Sequence, residues 1–154
     1  MIFTSHNVKE TQKIAADLAR KIIKTKKGAV IALKGELGAG KTVFVRGFAK
    51  ALGVKSKIKS PTFVLMKKYP VKLRHGASKV SGGTNLYHLD CYRIDSPRDL
   101  KIPELKEILT TSHNHNILLI EWAERIQKIL PKKRITVHID HVDKNVRKIK
   151  IDNF

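Results

Sequence analysis

Residues Gly35-Glu36-Leu37-Gly38-Ala39-Gly40-Lys41-Thr42 match Gly-x-x-x-x-Gly-Lys-[Ser/Thr] at every fixed position, and no other stretch restricts the fold so tightly. The pattern requires a strand before it and a helix after it, and both are written into its flanks. Ala29-Val30-Ile31-Ala32-Leu33 is a continuous apolar run that reads as a buried strand. Beyond the loop, Val43, Phe44, Phe48, Ala51 and Leu52 recur at helical spacing, with Gly53 as the C-terminal stop. Gly35, Gly38 and Gly40 let successive backbone N–H groups turn inward on an anion, and the helix beginning near Lys41 adds the positive end of its dipole. The segment Gly35 to Val43 is therefore expected to cradle the phosphates of a nucleotide. Lys41 is placed to reach the β- and γ-phosphates, and the Thr42 hydroxyl to bind the accompanying magnesium ion.

The remaining residues read as one domain, 1–154, built around this unit. Asn7 to Lys24 is an amphipathic helix, opened by Asn7 and Glu10 as a capping box and closed by Lys26-Lys27-Gly28. Lys57 to Pro61 is a polar break. Strands are expected from Thr62 to Tyr69 and from Leu86 to Tyr92, joined by a long, mobile and basic hairpin loop at about 70–85. Asp95-Ser96-Pro97 starts a short helical region broken at Pro103. Ile117-Leu118-Leu119-Ile120 is a buried strand, Trp122 to Leu130 a helix stopped by Pro131, and Arg134 to Asp140 and Val146 to Asp152 two further strands. These parts predict an α/β fold: a three-layer, P-loop NTPase-like domain with a mixed, partly antiparallel sheet.

Charge and cysteine content narrow the setting. The net charge is +19 and the pI 10.2, a field that favours polyanionic partners such as RNA; the alternative is a lysine coat scattered over the surface without a partner. Lys72, Arg74, His75 and Lys79 of the hairpin loop are the residues for an RNA contact, against a solvated tip. A single cysteine, Cys91, excludes an internal disulfide and suits a reducing compartment; it reads as a small strand residue. No apolar run approaches the ~20 residues of a membrane span, and the first residues lack a secretory apolar region, so the expected location is cytoplasmic.

A triphosphate site needs a carboxylate to hold the magnesium shell or orient a water. Glu121, closing the Ile117–Ile120 run, is one candidate, with a helix N-terminal acid as its alternative role. Asp90, in Tyr87-His88-Leu89-Asp90-Cys91-Tyr92-Arg93, is the other, with an edge-strand acid as its alternative. His113 and His115 have no Cys or acidic partner at ligand spacing and read as a solvated loop; His88, beside Asp90, reads more readily as structural than as chemical.

Taken in order, the phosphate loop with Phe44-Val45-Arg46-Gly47, then Ser60-Pro61-Thr62-Phe63, His88-Leu89-Asp90-Cys91-Tyr92-Arg93, Ile120-Glu121-Trp122-Ala123-Glu124-Arg125 and Leu130-Pro131 resemble the bacterial TsaE family over nearly the whole chain. The loop alone is shared by many families; the other segments together are far more specific. The resemblance implies a small, weak Mg-dependent ATPase needed to make threonylcarbamoyladenosine beside the tRNA anticodon. ATP and Mg2+ would be its cofactors and a TsaD–TsaB complex its partner, with tRNA touched directly or through those partners. It implies that Lys41 and the loop amides hold the phosphates, that Thr42 and Glu121 bind magnesium, and that Asp90 serves hydrolysis. It also implies that Trp122 lies beside the nucleotide and that Ser60-Pro61-Thr62 belongs to a segment responding to it. The 70–85 insertion and the strong positive charge depart from the family pattern. A small-molecule P-loop kinase, with the 70–85 segment as its lid, and a nucleotide-gated RNA-binding module are the alternative readings.

Overall fold

A computed structural model describes residues 1–58, 65–72, 84–100, 102–110 and 115–154. Its frame is a seven-stranded sheet in the order β1-β7-β6-β2-β5-β4-β3. The strands are β1 (Ile2–Ser5), β2 (Ala29–Lys34), β3 (Met66–Pro70), β4 (Asn85–Asp90), β5 (Ile117–Glu121), β6 (Ile135–Asp143) and β7 (Val146–Asp152). The four central strands β6, β2, β5 and β4 are parallel, while β1, β7 and β3 run antiparallel to their neighbours. The expected mixed, partly antiparallel sheet is what forms, and it has a P-loop NTPase-like α/β arrangement.

Alternation along the central strands divides the core in two. Ile31, Leu33, Leu86, Ile117 and Leu119 point to one face, where α1 (Val8–Lys24) and α2 (Lys41–Ala51) pack over them through Leu18, Ile22, Phe44 and Phe48. Ala32, Leu89, Leu118 and Ile120 point to the other, covered by Leu105 of α3 (Pro103–Thr110) and by Ala123 and Ile126 of a 3-10 helix at Ala123–Ile129. Helices on both faces of a largely parallel sheet give the three layers. β5 is buried along its whole length, as a continuous apolar run between two helical layers must be.

The α1 start follows its sequence signal closely: the Asn7 side chain accepts from the Glu10 N–H at 3.0 Å, while the Glu10 carboxylate reaches back one residue further than a capping box would, to the His6 N–H at 2.7 Å. Several boundaries differ from expectation. β1 was not foreseen: its burial alternates, but the residue types Ile-Phe-Thr-Ser do not, since exposed Ile2 is apolar and buried Ser5 is polar, and it is held at the sheet edge by pairing with β7. β4 ends at Asp90, not Tyr92, because Asp90 accepts the Tyr92 N–H at 3.0 Å and turns the chain. The broken helical region is a 3-10 turn at Pro97–Asp99, capped by Ser96, followed by α3, which Pro103 opens. The segment after β5 is 3-10 with a non-helical Ile126 (φ −120°), not a regular α-helix. Pro70 pairs with Asn85, so β3 and β4 form a hairpin, as read; the expected basic loop between them, with Arg74, His75 and Lys79, lies largely outside the described residues, as do Ser60 to Phe63 and His113.

Candidate nucleotide site

The site lies at the C-terminal edge of the parallel strands, where open α/β sheets bind ligands. Here the apolar series facing α1 and α2 ends in polar residues. On β4, Leu86 is followed at two-residue spacing by His88 and Asp90; on β5, Ile117 and Leu119 are followed by Glu121. Register places Asp90 beside Glu121 and Glu121 beside Leu33, the last apolar residue before the loop. His88, Asp90 and Glu121 are all buried. Asp90 is therefore no edge-strand acid, because β3 lies outside it.

The loop leaves β2 at Lys34 and enters α2 at Lys41. Gly35, Gly38 and Gly40 all have positive φ, and Gly40 is the left-handed residue that starts the helix. Gly35 has no room for a side chain, since a Cβ there would lie 2.3 Å from the Ile139 carbonyl oxygen of β6. Glu36, Leu37 and Gly38 form the exposed crest, Ala39 is buried beneath it, and Val43 sits half-buried in the first turn of α2. Arg147 braces the crest from β7: its Nε donates to the Ala39 carbonyl at 3.0 Å and its second nitrogen to the carbonyls of Asp143 and Val146. This brace lies 108 residues from the loop and left no local signal in the sequence.

Lys41 lies along the loop, with Nζ donating to the carbonyls of Gly35 at 2.6 Å and Glu36 at 2.8 Å. The same ammonium sits 3.7 Å from the ring centroid of Trp122. Burial lowers the Lys41 pKa from its ordinary 10.5, and the charges of Glu121, Glu124 and Asp90 oppose that shift. Trp122 has left-handed backbone (φ 57°), an uncommon conformation for a bulky residue, and it swings the chain off β5 so that the indole lies over the loop. Tyr92 packs against that ring at 5.2 Å, and the Arg125 guanidinium lies 5.7 Å from it while donating to the Ile94 carbonyl. A cleft of about 440 Å3 opens beside the loop, bordered by Gly35, Glu36, Trp122, Glu124 and His138.

Glu121 joins the two halves of the site. The Thr42 hydroxyl donates to its Oε2 at 2.8 Å, and His88 Nε2 lies 2.8 Å from its Oε1. The alternative role of Glu121 as a helix N-terminal acid does not hold, because the carboxylate turns to α2 across the sheet and Trp122, not Glu121, precedes the 3-10 helix. Among the described residues no group of three or more His, Cys, Asp or Glu side chains is arranged to hold a metal ion by itself. His115 is half-buried, not solvated. Cys91, fully buried, has its thiol pushed up to about 12 by burial, with Asp90 and Glu124 adding to the shift. No helix among the described residues is long and apolar enough to cross a membrane.

A family model described as threonylcarbamoyl adenosine biosynthesis protein TsaE matches residues 5–149. The tRNA threonylcarbamoyladenosine biosynthesis protein TsaE of Bacillus subtilis (strain 168) is 36% identical over 144 residues, covering 93% of this chain and 79% of its own. That of Rickettsia typhi (strain Wilmington) is 36% identical over 154 residues, covering 98% and 95%. Among solved structures, the crystal structure of Bacillus subtilis YdiB matches with a TM-score of 0.68 at 30% identity, over 98% of this chain and 83% of that one.

Proposed function

The chain belongs to the TsaE family of threonylcarbamoyl adenosine biosynthesis proteins, and on that premise we propose that it binds and hydrolyses ATP with magnesium as the partner of a TsaD–TsaB complex in tRNA modification next to the anticodon. The observation that carries this reading is the 2.8 Å contact between Thr42 Oγ1 and Glu121 Oε2, which ties a strand-end carboxylate to the first turn behind a complete phosphate loop.

The donor set suits magnesium. Both atoms are hard oxygens of the kind magnesium takes, and the hydrogen bond that brings them together supports a site in which Thr42 and Glu121 hold the ion between them. When bound, magnesium neutralises charge on the β- and γ-phosphate oxygens. The chain's own groups do the rest. The N–H groups of Gly35 to Val43 receive the phosphates, and Lys41, already fixed by two loop carbonyls, presents its ammonium to the β,γ end at little entropic cost. Asp90, adjacent to Glu121 across the strand pair, is the group assigned to the attacking water. Trp122 over Lys41 covers the loop from the side of β5.

ATP bound at the loop holds Asp90 and the turn that follows it in one arrangement, and hydrolysis releases them, resetting the TsaD–TsaB complex between threonylcarbamoyl transfers. Lys41→Ala is expected to abolish ATP binding. Asp90→Ala and Glu121→Ala are expected to bind ATP and to lose about 10²–10⁴ in turnover. Turnover at the wild-type rate in both acid variants would refute these assignments.

A further inference from the structure

His88 stands outside the phosphate loop and outside the pair of acids, yet it is fully buried, and among the described residues its side chain makes one hydrogen bond, to the carboxylate that faces Thr42. A carboxylate in this setting only accepts, so the proton of that 2.8 Å contact belongs to His88 Nε2. Nδ1 has no hydrogen-bond partner among the described residues. A bare nitrogen lone pair is cheaper to bury without a partner than an N–H, which agrees with Nε2 as the donor towards Glu121. The imidazole is held in place by the sheet: His88 pairs with Leu119 on β5, two residues before Glu121 on the same face.

We propose that His88 is the positioning residue for Glu121, fixing the plane of its carboxylate so that Oε2, and not Oε1, is turned to the Thr42 hydroxyl where the magnesium ion of ATP would sit. This rests on the nucleotide reading above. Glu121 is buried and has one partner on each oxygen; taking away the Nε2–H leaves Oε1 unsatisfied and lets the group turn. Partners that orient a metal ligand from behind are commonly worth tenfold to a hundredfold in metal affinity. The sequence showed His88 beside Asp90, but not that its ring turns across to the neighbouring strand.

The test compares wild type with His88→Phe, which fills the space without a donor, and His88→Gln, whose amide N–H can replace Nε2–H. The readouts are the Mg2+ concentration giving half-maximal ATP binding, followed by the fluorescence of Trp122, the chain's single tryptophan, and the split between kcat and KM for ATP. His88→Phe should raise the half-saturating Mg2+ at least about tenfold, and His88→Gln should return it to within about threefold of wild type. Nitrogen NMR of the wild-type imidazole, which needs no variant to fold, should place the proton on Nε2. A folded His88→Phe chain with wild-type Mg2+ dependence, or an Nε2 without its proton, overturns the inference alone. Wild type that shows no Mg2+-dependent ATP binding overturns the nucleotide reading and this inference with it.

Discussion

Gly47 lies inside α2, where replacing glycine by alanine ordinarily stabilises a helix by about 0.5–1 kcal/mol. The packing opposes that gain. A Cβ at position 47 would lie 2.5 Å from both the Cα and the carbonyl oxygen of Gln12 on α1, so backbone meets backbone and no side chain can swing aside. Restoring ordinary contact means opening the α1–α2 crossing by about 1 Å, which belongs at the upper end of the ~1–3 kcal/mol cost of overpacking. The steric term wins, leaving Gly47→Ala destabilised by about 2 kcal/mol. For a chain of this size that is a fall in Tm of about 4–8 °C. The effect reaches the site as well, because α2 begins with Lys41 and Thr42; ATP affinity should weaken even though residue 47 is a turn or more away from the loop. Thermal unfolding followed by circular dichroism gives the first number and Trp122 fluorescence the second. A Tm equal to or above wild type would refute the reasoning, since it would mean that helix propensity outweighs the close crossing.

Lys41 supplies a pH test. Its folded pKa lies below the unfolded value of 10.5, so the folded chain binds fewer protons than the unfolded chain in the window just below 10.5, and stability must rise with pH there. Wild type should therefore gain stability relative to Lys41→Met as pH climbs from neutral toward 10.5 in denaturant titrations; the opposite slope contradicts the burial of the ammonium. The Cys91 thiol, fully buried and pushed up to about 12, should resist alkylation at mildly alkaline pH until the chain unfolds. Alkylation of the folded chain at the rate of an exposed cysteine would contradict that placement.

What the sequence revealed tracks how local each determinant is. The phosphate loop, the Asn7 cap, the stripe of α1 and the apolar run of β5 each carry their own signal within a few residues, and each forms where expected. β1 has four residues and one buried side chain, so its existence depends on β7 and not on its own pattern. Trp122 adopts a left-handed backbone because tertiary packing with Tyr92 and Lys41 holds it there, and a helical periodicity that includes it cannot foresee the turn. Asp90 and Glu121 were visible as candidates, but their adjacency required the β4–β5 register, and the links from Glu121 to Thr42 and His88 span 79 and 33 residues. Arg147 was invisible for the same reason.

The central claim is that the chain turns over ATP in the service of a partner complex. Phosphate release should be measured for the purified chain alone, for a matching TsaD–TsaB pair alone, and for the three together with Mg2+, with Glu121→Ala as the control. The account predicts slow release by the chain alone, a marked rise when TsaD–TsaB is added, and loss of that rise in Glu121→Ala. Release that is indifferent to TsaD–TsaB, or that survives unchanged in Glu121→Ala, would contradict it.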